Sequence, residues 1–157
     1  MIIVADSSAL IALSACNSLL LLDNLFKEVR VTDIVYNEVV TPGKKESEKL
    51  KVYLENKVIT LDSNELILTD IGLGKGELSS MVLYRKINAD RLLIDDKKAR
   101  SIAKLNNIKI IGSFGILLLA KEKTLIKEIK PLIEEIMTSG IFMSQGLVNE
   151  ILKLAGE

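Results

Sequence analysis

Four acidic positions in this chain fall where carboxylates would do chemistry. Asp6 directly follows the apolar run Ile2-Ile3-Val4-Ala5, and Glu38 lies in the helical stretch Thr32–Thr41. Glu77 opens the helix after Gly72-Leu-Gly-Lys-Gly76, and the pair Asp95-Asp96 follows Leu92-Leu93-Ile94. Buried carboxylates are costly unless a positive charge compensates them. The chain has no histidine, so a divalent metal ion is the simplest compensator for several of them together.

The missing histidine also narrows the chemistry. A Ser-His-Asp triad and a Cys-His nucleophile are both excluded. Zinc is disfavoured, because its usual sites draw on histidine and cysteine. Oxygen-only ligands suit Mg²⁺ or Mn²⁺, which activate water and stabilise charge on a phosphodiester. Phosphodiester hydrolysis is the reaction that fits. The Gly72–Glu77 segment lacks the G-x-x-x-x-G-K-[ST] order of a nucleoside-triphosphate loop; its glycines read as a flexible approach to the Glu77 helix. A haloacid-dehalogenase-like phosphatase would want an aspartate where Ser8 stands, and the acid and lysine pattern of a receiver domain is not evident.

Each acid also has a structural reading. Asp6 could cap the helix that begins at Ser7-Ser8, and Ser8 could be only a first-turn residue. Glu38 sits on or beside the stripe that Ile34, Val35 and Val39 turn toward the core, yet it could reach water. Glu77, in a first turn, gains from the helix dipole whatever else it does. One of Asp95 and Asp96 could cap the helix Lys97–Leu105, which leaves the other at the carboxyl end of a strand. Spacing does not decide which. Lys75, Lys97, Lys98 and Arg100, with Arg85 and Lys86, are candidates to hold a nucleic-acid backbone, or else form a solvated helix face. Six aromatic residues, none of them tryptophan, exclude base stacking as a broad feature.

These residues need a scaffold that brings strand ends together. Short apolar runs alternate with amphipathic stretches, the pattern of βα units on a parallel sheet. The expected strands are 2–5, 28–31, 57–60, 92–94 and 109–111. The expected helices are 8–15, 18–25, 32–41, 45–55, 75–87, 97–105, 113–122, 125–137 and 144–154. Thr32 and Ser144 are N-cap candidates, Pro42-Gly43 ends a helix, and Pro131 belongs in the first turns of its own. The fold class is α/β: a three-layer α/β/α sandwich with a parallel central sheet and extra C-terminal helices. In such sheets ligands bind outside the carboxyl ends of the strands, which is where Asp6 falls.

At 157 residues the chain has length for a single domain. Zero formal net charge means that a nucleic-acid role rests on a local basic patch. The lone Cys16 reads as a small buried hydrophobe and excludes an internal disulfide, compatible with a reducing cytoplasm. No signal peptide is evident at the start, and the longest apolar runs are far shorter than the ~20 residues of a bilayer span. A cytoplasmic protein without membrane association is the expectation.

Taken in order, these motifs resemble those of the PIN-domain nucleases. Val4-Ala-Asp-Ser-Ser-Ala-Leu-Ile11 looks like the opening aspartate motif, and Thr32–Val40 like the second acidic helix. Gly74-Lys-Gly-Glu-Leu78 resembles the third motif and Leu93-Ile-Asp-Asp96 the fourth. The match covers about residues 1–120. Gly112-Ser-Phe-Gly115, Leu119-Ala-Lys121 and Leu154-Ala-Gly-Glu157 are similar to a PIN-like subgroup whose helical C-terminus is extended. The resemblance implies one PIN-like domain over 1–157, with a core of about 1–120 and a helical extension over 121–157. It implies a Mg²⁺- or Mn²⁺-dependent endoribonuclease in which Asp6, Glu38, Glu77 and Asp96 bind metal, with Asp95 competing for the last role. Ser8 would hold Asp6 or a bound water. Many relatives are toxins inhibited by a small antitoxin protein, and many are homodimers. Many members also carry an aspartate or polar residue and a threonine before the last acid, where this chain has Ile94-Asp95. The alternative is a non-catalytic PIN-like domain that binds RNA or a protein partner.

Overall fold

In a computed structural model of the chain, residues 1–65 and 72–157 are described. Among them, β1 (Ile2–Ala5), β2 (Glu28–Thr32), β3 (Val58–Ile59), β4 (Arg91–Leu93) and β5 (Ile110–Ile111) form one sheet in the order β3-β2-β1-β4-β5. All four pairings are parallel. The register sets Val4 opposite Arg30 on one side and Leu92 on the other.

Both faces of the sheet are covered, as the nearly continuous apolar strands require. Side chains alternate across a strand, and the core divides accordingly. Ile3, Ala5, Val29, Val31 and Leu93 join one cluster with α1 (Ser7–Ala15), α2 (Leu20–Leu25), α3 (Asp33–Val39), α4 (Ser47–Leu54) and α7 (Ser113–Glu122). Val4, Leu92 and Ile94 join the other with α5 (Lys75–Lys86) and α6 (Lys97–Leu105). The expected three-layer α/β/α fold is the observed one.

Two further helices, α8 (Lys130–Thr138) and α9 (Gln145–Ala155), add Ile133, Ile136, Val148 and Ile151 to the first cluster. The tail is thus part of the core, not an appendage. Its last residue anchors it: the Glu157 carboxylate accepts from the Ile129 amide at 2.7 Å, the Lys130 amide at 2.9 Å and Lys121 Nζ at 2.7 Å. Those amides are among the ones a helix start leaves free.

Boundaries differ from expectation where local chemistry intervenes. The helix expected over 125–137 begins only at Lys130, because Pro131 is tolerated in a first turn and not in a helix interior. β3 and β5 shrink to two residues each, being edge strands paired on one side only. Thr32 and Ser144 cap as expected, accepting from Val35 N at 3.1 Å and Leu147 N at 3.3 Å. Cys16 is buried, and its thiol contacts Leu13 O at 3.6 Å. Among the described residues no helix is long and apolar enough to cross a membrane.

The chain runs outward from β1 through β2 to β3, then returns to β4 on β1's other side. The strand order therefore reverses between β1 and β4. A crevice opens at such a reversal, outside the carboxyl ends of the strands. Asp6 leaves β1 there, and Asp95-Asp96 leave β4 there.

Candidate functional site

Asp6 occupies the N-cap position of α1, but its side chain makes no cap bond. Its backbone is fixed from both sides: Asp6 N donates to Leu93 O of β4 at 2.9 Å, and Leu10 N donates to Asp6 O at 3.3 Å. The carboxylate is only 1% exposed. Two hydroxyls approach it at the long limit of hydrogen bonding, Ser80 Oγ to Oδ1 at 3.4 Å and Ser8 Oγ to Oδ2 at 3.5 Å. Burial pushes its pKa up to about 7; the Ser7 amide opposes the rise, the charges of Glu77 and Glu38 add to it, and the Ser80 hydroxyl eases it. Asp6 is thus a buried acid whose charged neighbours are acids.

Glu38 reaches this spot from the edge of α3. Val35 and Val39 are buried while Glu38 is exposed, so it lies beside the inward stripe, not on it. Ser7 Oγ donates to its Oε1 at 3.2 Å. Glu77 is half-buried in the first turn of α5, with Oε2 turned back against Gly74. Gly76 stands between the acids. A Cβ there would lie 2.7 Å from Glu38 Oε2 and 3.7 Å from Asp6 Oδ1. The sequence reads these glycines as a flexible approach to the helix; at Gly76 the structure adds a close approach, where a side chain would displace the Glu38 carboxylate.

A line of hydroxyls fixes α5 against α3. Ser79 Oγ donates to Gly76 O at 2.7 Å, so the 2.8 Å contact between Ser79 and Thr32 has the threonine as donor. Thr32 Oγ1 in turn accepts the Val35 amide. Thr32, Ser79 and Ser80 are all fully buried. Ser79 and Ser80 pack into this cluster, Ser80 against Asp6 and Ser79 against Thr32, and are missing from the sequence reading. The signal was present: Gly76, Ser79, Ser80 and Leu83 recur at i, i+3, i+4 and i+7, and small polar residues on an inward stripe need partners.

The aspartate pair divides its labour. Asp96 caps α6, its Oδ1 accepting from Ala99 N at 2.8 Å, and it is exposed. Asp95 turns to the neighbouring helix, its Oδ1 accepting from Ser113 N at 2.8 Å. Strand alternation gives the reason. Val4, Leu92 and Ile94 share one face, so Asp96 continues the face of Asp6, while Asp95 follows Leu93 to the other.

Of the basic candidates, Lys75 and Lys97 are exposed at the starts of α5 and α6. Lys98 Nζ donates to Gly72 O at 2.8 Å, and Arg100 Nη1 to Ile94 O at 2.9 Å. Arg85 and Lys86 lie in the last turn of α5 and are bound to Asn106 O and Glu65.

Among the described residues, no three Asp, Glu or Cys side chains stand as placed in an arrangement that could hold a metal ion. The donor chemistry nevertheless fits one. Asp6 is fixed, buried and opposed by two acids, while Glu38 and Glu77 are flexible side chains with access to solvent.

A family model described as a PIN domain matches residues 2–157. The chain belongs to the PIN-domain family. No curated protein and no solved structure matches it. The PIN assignment makes this a nuclease-type fold, and in this PIN domain Asp6, Glu38 and Glu77 neighbour one another beside the reversal of strand order.

Proposed function

We propose that this PIN domain is a Mg²⁺- or Mn²⁺-dependent endoribonuclease that hydrolyses RNA phosphodiester bonds. The observation that carries the reading is Asp6: fully buried, without a cap bond, pushed to a pKa of about 7 and faced by Glu77 and Glu38. Such an acid is poorly suited to structural work and well suited to a cation.

Asp6, Glu38, Glu77 and Asp96 are the proposed ligands. Asp96 shares Asp6's side of the sheet, and Asp95 is directed to α7 instead. A bound Mg²⁺ or Mn²⁺ supplies charge stabilisation at the phosphodiester and an acidified attacking water. The chain's own residues do the rest. Ser8 and Ser80 hold the Asp6 carboxylate, Ser7 steers Glu38, and the Thr32–Ser79–Gly76 line keeps α5 against α3. Lys75, Lys97 and Lys98 line the starts of α5 and α6, where they would hold the RNA backbone.

The reading extends to a single PIN-like unit over 1–157, working in the cytoplasm as a homodimer and as the toxin of a toxin–antitoxin pair silenced by a small protein. That extension rests on the resemblance to PIN-domain nucleases, many of them toxins and many homodimers. The second reading, a non-catalytic PIN domain that binds RNA or protein, is favoured by Glu77's turn toward Gly74 and Asp96's engagement as a cap. Cleavage of RNA with Mn²⁺ or Mg²⁺, compared with EDTA and with Asp6→Asn, separates them. Cleavage that requires both metal and Asp6 supports the nuclease. Full activity in Asp6→Asn removes this site from the reaction.

A further inference from the structure

On the other side of the same rim, a cavity of about 560 Å³ lies between the start of α7, α9 and the segment joining α8 to α9. Most of its wall is apolar, including Phe114, Ile141, Met143 and Leu147. Its polar lining comes from Asp95, Arg100 and Ser113, and the Phe142 ring borders it. Asp95 uses Oδ1 for the Ser113 amide, and among the described residues its Oδ2 has no hydrogen bond. Arg100 directs Nη1 to Ile94 O, and no carboxylate among the described residues is in ion-pair range of it. The Ser113 hydroxyl is fully buried without a hydrogen-bond partner. Phe142 is 91% exposed, more than any other large apolar side chain among the described residues. Gly112 keeps the charged pair open, since a Cβ there would lie 2.8 Å from Arg100 Nη1 and 2.9 Å from Asp95 Oδ1.

We propose that this cavity binds a guanine base of the RNA strand, stacked on Phe142, with Asp95 and Arg100 reading its edges. The proposal rests on the nuclease reading for its source of guanine. The volume suits a small planar ligand. A carboxylate with a free oxygen takes the donors at guanine N1 and N2, and a guanidinium suits its O6 and N7 acceptors. An exposed phenylalanine supplies the stacking face by which single-stranded bases are held. An apolar peptide side chain would suit the apolar wall but would desolvate Asp95 and Arg100 without satisfying either, whereas a base sets apolar faces against the wall and polar edges against the charges. Position agrees: Asp95 leaves β4, the neighbour of the strand that ends in Asp6. Asp95 and Asp6 follow neighbouring strands but turn to opposite faces of the sheet, so an RNA strand would cross the rim between them to present a phosphodiester at Asp6 and a base here.

The test is titration of the full chain in EDTA with guanosine, followed by amide chemical shifts. Adenosine, cytidine, uridine and inorganic phosphate serve as comparisons. Guanosine has neither a phosphate nor a scissile bond, so failure here leaves the nuclease reading untouched, and binding is read out whether or not the chain cleaves RNA. The expected result is guanosine binding that perturbs Ser113 and Phe142, with at least tenfold preference over the other nucleosides. Phe142→Ala, at an exposed position that folding does not need, weakens it about 5- to 100-fold. Asp95→Asn keeps an acceptor for the Ser113 amide and removes the preference. Guanosine that fails to bind, binding of phosphate alone, equal binding of all four nucleosides, or unchanged affinity in Phe142→Ala would each overturn the proposal.

Discussion

Asp6 and Asp96 hold equivalent places in adjacent βα units. Each follows a parallel strand and stands at the N-cap of the next helix. Asp96 does what that place suggests: it is exposed, and it accepts from Ala99 N. Asp6 is buried, makes no cap bond and sits among acids. The difference comes from what packs above each strand end. α5 comes down over Asp6 through Gly76, Ser79 and Ser80 and shields it from water, whereas Asp96 looks out over the start of its own helix. The same residue type in the same local motif is therefore a stabilising cap in one unit and a source of frustration in the other. Frustration of that kind marks functional sites.

The comparison breaks first at Asp6. In the folded chain Asp6 keeps its proton up to about pH 7, while the unfolded chain releases it near the ordinary aspartate value. The folded state thus binds more protons across that window, so Asp6 lowers stability as pH rises through it and has its full effect above about pH 7. Metal-free Asp6→Asn is expected to be more stable than the parent by about 1–4 kcal/mol at about pH 8, with the gap closing near pH 3. Urea melts at both pH values check this. A loss of stability at pH 8 would mean that Asp6 does structural work after all.

Removing a member of the hydroxyl line should have the next largest effect. Ser79→Ala leaves the buried Thr32 hydroxyl without its acceptor and should cost about 1–3 kcal/mol by urea melts. At the other unit the expectation is smaller and depends on the substitution. Asp96→Ala should lose about 1 kcal/mol, and Asp96→Asn almost nothing, because asparagine caps as well. Thermal unfolding distinguishes the two, and equal losses would deny the cap. Smallest are the neighbours' charges: Glu77→Gln should lower the Asp6 pKa, and Glu38→Gln should lower it less, as seen in carboxyl NMR titrations. The reverse order would misplace the acids.

Much of the fold was legible in the sequence, for reasons visible at particular residues. Strands buried on two faces are written as unbroken apolar runs such as Ile2–Ala5, and Thr32, Ser144 and Pro131 mark helix starts by local chemistry. At Lys130 the local signal of Pro131 is reinforced by Glu157, which accepts the Ile129 amide across 28 residues, a contact that no local pattern shows. The site was legible as a set of acids but not as a set of environments. Glu38 lies beside the core stripe because α3 is turned by Val35 and Val39. The roles of Asp95 and Asp96 depend on strand parity beyond the end of β4. Ser79 and Ser80 matter through Thr32 at the end of β2 and Asp6 just past β1, partners that no local pattern names.

The most direct measurement is the Asp6 carboxyl titration by NMR, without metal and at saturating Mg²⁺. A pKa near 7 without metal that falls well below neutrality with Mg²⁺ is the expected result, since a bound cation relieves the repulsion around a buried acid. A pKa that Mg²⁺ leaves unmoved would contradict the assignment of this cluster as a metal centre.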